Sequence, residues 1–301
     1  MIHQLASRTA VTALAALAIG ILGGCSAGKA DIVTTNPPIT ALTQAVAAGT
    51  GLQVVGLVGP GVDPHEYEAS PEDVRKIGGA SVVLRNGLGL DAFLDAPVKS
   101  SGQRNVVTVT EGVRVRSVVD AGGQREDDPH VWHDPTNDKI MVANIVKALS
   151  TAYPDKASAF QKNGTATQAK LDQVDAEIKQ LIATIPAANR KMVTNHDAFG
   201  YFIDHFGLTF IGAVIPSVST QGDASAKQIA ELQDTIRREG VKAIFAESSV
   251  DPKVASQIAQ DTKVKIVADL YGDSLGKPGF GADTVDGMLL QNAKKIVEAL
   301  K

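Results

Sequence analysis

Short β-branched runs alternate with segments of helical period along most of this chain. That alternation is the pattern of an α/β fold with mainly parallel sheets. In the first half, strands are expected near residues 30–35, 53–58, 81–85 and 106–109, with helices near 39–48, 71–77 and 137–152. The second half repeats the arrangement, with strands near 191–194, 209–214, 243–246 and 265–268. Its helices are expected near 198–206, 225–239, 252–261 and 284–300.

Between the halves lies one exceptional segment, residues 154–185. Its apolar positions Leu171, Val174, Ile178, Leu181, Ile182 and Ile185 fall on one helical face. Pro154 suits a first helical turn and Pro186 ends the helix. A continuous helix of that span would run about 45–50 Å, a strut between two α/β lobes with a cleft between them. Gly164 weakens it by about 1 kcal/mol relative to alanine, so two helices broken at Asn163-Gly164 are the alternative.

The amino-terminal stretch follows a different pattern. Arg8 precedes an apolar run, residues 11–22, that is too short for a bilayer needing about 20 helical residues. It reads as a signal-peptide core. Leu22-Gly23-Gly24-Cys25 follows and holds the only cysteine. This resembles the lipobox of bacterial lipoproteins, where the cysteine is lipidated and becomes the mature terminus; an ordinary secretory signal with an incidental cysteine is the alternative. The expected organisation is a signal peptide over 1–24, one α/β lobe over 25–153, the linking helix over 154–185 and a second lobe over 186–301. With no second cysteine, no internal disulfide forms, and stability rests on core burial.

Composition adds exclusions. The net charge is −4 and basic residues are dispersed, which argues against nucleic acid as a partner. No further apolar run is long enough to cross a membrane.

The candidate chemistry lies in histidine. Asp-Pro-His occurs twice, as Asp63-Pro64-His65 and Asp128-Pro129-His130, and His196-Asp197 follows. Each proline fixes its own φ and restricts the aspartate before it, which stiffens the approach to the histidine. Preorganised imidazoles from separate loops suit a metal site. In open parallel sheets ligands bind beyond the carboxyl ends of strands, and His65, His196 and the Asp269–Asp273 loop all follow strands. His130 follows a polar run, residues 121–128, and precedes a helix. His65, His130, His196 and a carboxylate, Asp269 or Asp273, would make an N3O set suited to a divalent transition metal. His133 is read as a supporting or surface group, His205 as peripheral, and His3 leaves with the signal. Glu247, at a strand end, either orients a ligand from behind or caps the next helix.

With these residues in view, the chain resembles the zinc- and manganese-binding solute receptors of bacterial ABC transporters. The matching stretches are Asp63-Pro-His-Glu-Tyr-Glu68, Ser70-Pro-Glu-Asp-Val74, Asn86-Gly-Leu-Gly-Leu90 and Asp128-Pro-His-Val-Trp132. They continue with Asn195-His-Asp-Ala-Phe-Gly-Tyr-Phe202, Phe245-Ala-Glu-Ser-Ser249 and Tyr271-Gly-Asp-Ser274. The resemblance implies two (β/α)4-like lobes joined by a single long backbone helix, with the metal in the cleft between them. It implies His65, His130, His196 and Asp273 as ligands, settling the carboxylate on Asp273, with Asn86, His133 and Glu247 as supporting candidates. It also implies a monomeric receptor outside the cytoplasmic membrane, held by a lipid on Cys25 and serving an ABC permease.

Three neutral imidazoles and one carboxylate favour Zn2+, a borderline ion, with Mn2+ the alternative because manganese prefers more oxygen. No histidine occurs from Glu66 to Pro129, so the histidine-rich loop of many zinc receptors in that family is absent. A secreted zinc hydrolase is the rival reading. It lacks a His-Glu-x-x-His helix, a Gly-x-Ser-x-Gly elbow and a phosphate-binding loop.

Overall fold

Strand β1 (Ile32–Thr34) is followed by α1 (Pro37–Ala47), β2 (Val54–Gly56), α2 (Pro71–Gly79), β3 (Val82–Arg85), α3 (Asp95–Ser101) and β4 (Val106–Thr108). This computed structural model describes residues 30–119 and 123–301; the expected signal stretch and Cys25 lie outside them. The four strands form one parallel sheet in the order β2-β1-β3-β4. A small antiparallel hairpin, β5 (Ser117–Val119) with β6 (Arg125–Asp127), leads to α4 (Pro135–Ala152) and the long α5 (Ala157–Ala183).

Beyond α5 come β7 (Lys191–His196), α6 (Gly200–Phe206), β8 (Thr209–Ile215), α7 (Ala226–Glu239), β9 (Ala243–Glu247), α8 (Lys253–Thr262), β10 (Lys265–Leu270) and α9 (Val285–Leu300). These strands form a second parallel sheet in the order β10-β9-β7-β8. In each sheet the first strand of its lobe lies between the second and the third. Strand order therefore reverses at the first strand, and such a switch point opens a crevice beyond the carboxyl ends of the strands. His196 ends β7 and Glu247 ends β9, so both sit at that crevice in the second lobe.

Helix starts are written locally. Pro37 follows the N-cap Asn36, whose side chain accepts from Ile39 N–H at 3.0 Å. Ser70 with Asp73 and Ser225 with Gln228 form capping boxes on α2 and α7.

The expected strut exists as a 27-residue helix, about 40 Å long at 1.5 Å per residue. It is shorter than the sequence suggested because Pro154–Lys156 form a 3-10 turn before it. The helix passes through Asn163-Gly164 unbroken, so the two-helix alternative falls. Gly164 is there for packing: a Cβ on it would lie 2.5 Å from Cγ2 of Val146 on α4. In an exposed helix Gly→Ala would stabilise by about 1 kcal/mol. Here the overpacking cost of about 1–3 kcal/mol should dominate, so Gly164→Ala is expected to lower the melting temperature. An unchanged or raised melting temperature would show that α4 and α5 yield freely.

Helix α3 and the β5–β6 hairpin were not anticipated. Of α3 only Pro97 is buried, which leaves no periodic stripe to read. The hairpin strands have three residues each, and their outer positions are exposed. Residues 125–127 thus form a strand where a polar run was expected.

One apolar cluster joins the two lobes. It runs from Ile32, Ile39 and Leu84 through Trp132, Phe160, Leu171 and Ile178 to Phe202, Phe245 and Leu289. Helix α5 packs against α1, α4 and α9 within it.

Candidate metal centre

The two Asp-Pro-His motifs fold alike. Asp63 Oδ1 accepts the His65 backbone N–H at 2.8 Å, and Asp128 Oδ1 accepts that of His130 at 3.0 Å. The aspartate thus closes a turn on its own histidine, as Asx side chains do. In the second motif the same Oδ1 also meets the His130 Nδ1 at 2.8 Å. Arg116 Nη1 donates to the other oxygen of Asp128. This fixes the His130 ring with Nε2 facing inward.

His196 belongs to the last position of β7 rather than following the strand. Its Nδ1 lies 2.6 Å from Glu247 Oε1. The other oxygen of Glu247 accepts the Asp273 backbone N–H at 3.2 Å, so one carboxylate supports two site residues. Glu247 does not cap α8; Asp251 takes the Lys253 N–H at 3.0 Å. The Asp273 loop is also held from the first lobe. The Gly272 carbonyl accepts from Trp132 Nε1 at 2.9 Å and from His133 Nε2 at 3.1 Å. His133 is therefore fully buried behind the site, and its surface reading is excluded.

Four side chains converge. His65 Nε2 and His196 Nε2 lie 3.3 and 3.4 Å from His130 Nε2. Oxygens of Asp273 stand 3.0 Å from His130 Nε2, 3.4 Å from His196 Nε2 and 3.6 Å from His65 Nε2. All four donor atoms lie within 4.8 Å of one another. Zinc–nitrogen bonds of about 2.0–2.1 Å place tetrahedral ligands about 3.3–3.4 Å apart, the scale seen here. Both Asp273 oxygens are buried with no polar neighbours among the described residues but the imidazole nitrogens, the nearest being His130 Nε2 at 3.0 Å from Oδ1, and neither makes a well-directed hydrogen bond. A buried carboxylate left so is costly, and a cation among these donors would remove the cost.

Electrostatics agree. Burial works against charge on His130, yet the Asp273 and Asp128 carboxylates hold its pKa up at about 10. Burial alone would raise Asp273, but the imidazoles of His130, His196 and His65 hold it well below the usual carboxylate range. Burial pushes His65 and His133 down to about 3. Against burial, Glu247 and Asp273 also hold the His196 pKa above its ordinary value, so the centre favours positive charge among the imidazoles, which a cation can take over.

The remaining candidates fall elsewhere. Asp269 is exposed and its Oδ2 pairs with Lys295 at 2.7 Å. Asn86 makes no hydrogen bond to a converging side chain; its Nδ2 donates to the Pro129 carbonyl at 3.1 Å, tying the end of β3 to the His130 turn. Sequence reasoning missed the aspartates' own role in both Asp-Pro-His motifs, although their position two residues before histidine was the available signal. Nothing in the alternating stretch around Arg116 marked that residue.

The family described as zinc-uptake complex component A, periplasmic, matches residues 32–299. The chain belongs to this family. It is 34% identical over 295 residues to the manganese-binding lipoprotein MntA of Bacillus subtilis (strain 168), covering 93% of this chain and 95% of that protein. Identity is 33% over 299 residues to the manganese ABC transporter substrate-binding lipoprotein PsaA of Streptococcus mitis, covering 94% and 96%. The solved structure of the periplasmic zinc binding protein TroA from Treponema pallidum superposes with a TM-score of 0.83 at 35% identity, over 91% of this chain and 99% of that one. The two-lobe fold with its long helix is thus the family's fold. The chain is a solute-binding receptor of a metal ABC transporter that captures metal for import and works with a permease and ATPase complex. It is not an enzyme, and the hydrolase reading falls.

His205 lies apart from the metal centre but is not idle. Its Nδ1 sits 3.1 Å from Asp134, which caps α4, and its Nε2 sits 2.7 Å from Asp175 on α5. The Asp134 hydrogen bond, with Asp175 adding to it against burial, raises the His205 pKa above its ordinary value. A raised folded-state pKa gives stability that is complete below the unfolded value of about 6.5 and is lost as pH climbs through the folded value. His205→Gln should therefore lower the melting temperature more at about pH 6 than at about pH 9. A gap that widens with pH would contradict this account.

Proposed function

We propose that the cargo is Zn2+, held by Nε2 of His65, His130 and His196 and by the Asp273 carboxylate. The convergence of three imidazole Nε2 atoms on the buried Asp273 carboxylate carries this reading. A set of three nitrogen donors and one carboxylate in a closed site suits a four-coordinate borderline ion. Affinity order at N/O sites also favours zinc over manganese. Mn2+ is the second reading, because both Asp273 oxygens face the imidazoles and two relatives carry manganese in their names.

The receptor works outside the cytoplasm as a monomer. A diacylated Cys25 retains it at the membrane, since one acyl chain anchors only marginally. Competition between zinc and manganese for the purified protein, with elemental analysis and anomalous scattering at both metal edges, tests the cargo. One zinc per chain on these four residues supports the assignment. Manganese retained while zinc is excluded overturns it. Cys25→Ala should release the receptor from membranes into the soluble fraction.

A further inference from the structure

Three of the four converging residues are braced from behind. Asp128 holds His130, Glu247 holds His196, and the Asp273 loop is tied to Glu247, Trp132 and His133. Their side chains are 0% exposed, whereas that of His65 is 7% exposed. Among the described residues, no carboxylate pairs with the outer nitrogen of the His65 ring. It rides on irregular chain between β2 and α2 and faces a cavity of about 500 Å³ lined by Tyr67, Leu90, Phe93, Asp127 and Gln221.

Its own lobe holds the segment just after His65, where the Tyr67 hydroxyl donates to Asp73 at 2.9 Å and the ring packs on Phe93; the stretch from Gly61 to His65 is held from the other lobe. Ser274 Oγ accepts the Gly61 N–H at 2.5 Å. The Thr220 hydroxyl donates to Asp63 Oδ2 at 2.7 Å, and Gln221 Nε2 donates to the His65 carbonyl at 2.5 Å. Asp63 therefore faces two ways: one oxygen shapes the His65 turn and the other is held by Thr220. The lobes themselves share a continuous apolar cluster around Trp132, Phe160 and Phe202. Separating them would expose large apolar surfaces, whereas freeing residues 61–65 breaks three hydrogen bonds to the second lobe and uncovers little beyond the buried Pro64.

We propose that Thr220 and Gln221 are positioning residues that latch the His65 segment, and that metal enters and leaves through the adjoining cavity as this segment swings, the lobes staying packed. This rests on His65 being a ligand. Each latch bond lost should speed escape by roughly tenfold or less, the equivalent of about one hydrogen bond.

The test uses full-length protein loaded with zinc. A chromophoric chelator in excess reads the dissociation rate, and zinc-edge absorption reads the ligands. Thr220→Val with Gln221→Ala should release zinc about ten- to a hundredfold faster with three imidazoles still bound. Thr220→Ser, which keeps the hydroxyl, should release zinc at the wild-type rate. His205→Gln loosens a contact between the lobes away from the cavity and should leave the rate unchanged. Release within twofold of wild type in the double variant, or equal acceleration by His205→Gln, would overturn the latch. Wild-type protein whose zinc lacks the His65 imidazole would instead overturn the ligand assignment.

Discussion

Asp273→Asn should reduce zinc affinity by roughly a hundred- to four-thousandfold while the protein still folds. Asp273 is the only acid among the converging donors, and its two oxygens face three imidazoles. The amide keeps the shape but removes the anion. Losing one partner of a buried charge interaction costs about 3–5 kcal/mol, and each 1.4 kcal/mol is about tenfold in affinity. The loop need not collapse, because the Gly272 carbonyl remains held by Trp132 and His133, and Tyr271 by Asn292. Titration against a chelator of known affinity checks the loss, and circular dichroism checks the fold. His196→Ala should lose most of its zinc for the same reason, since an entire donor disappears. Wild-type affinity in either variant would remove that residue from the centre.

The second large effect arises one residue away. A Cβ on Gly272 would lie 1.7 Å from Oε2 and 2.2 Å from Cδ of Glu247. Gly272→Ala must therefore displace Glu247, which supports His196 through one oxygen and the Asp273 N–H through the other. Disturbing groups that orient metal ligands typically costs about 10–100-fold in affinity, and overpacking adds about 1–3 kcal/mol of lost stability. Gly272→Ala should thus lower both zinc affinity and melting temperature. Glu247→Gln keeps the volume and should weaken binding while changing the melting temperature less. If Gly272→Ala binds zinc normally, the loop has another way to hold Asp273.

The strands of both sheets and the strut were legible because burial imposes a pattern. Val82, Val83 and Leu84 are fully buried, and such strands read as continuous β-branched and aliphatic runs. Ile178 and Ile182 mark the buried stripe of α5. The hairpin 117–127 left no such mark, since its strands bury little. At the site, the histidines stood out through the repeated Asp-Pro-His. The partners that orient them did not. Arg116 reaches Asp128 from twelve residues earlier in the chain, and Trp132 reaches Gly272 across the cleft. The first contact is set by the register of the β5–β6 hairpin and the second by the packing of two lobes, and neither has a local spacing to betray it.

The shared apolar cluster also bears on how such a receptor is recognised. If the latch account holds, two halves fused by a shared apolar cluster would not advertise their load through a change of silhouette. A permease would then read it at short range, from the chain around the cavity mouth, where full and empty forms would differ by the set of one segment. Scattering profiles of the two forms would then nearly superimpose, and discrimination between them would rest on a patch only a few side chains wide.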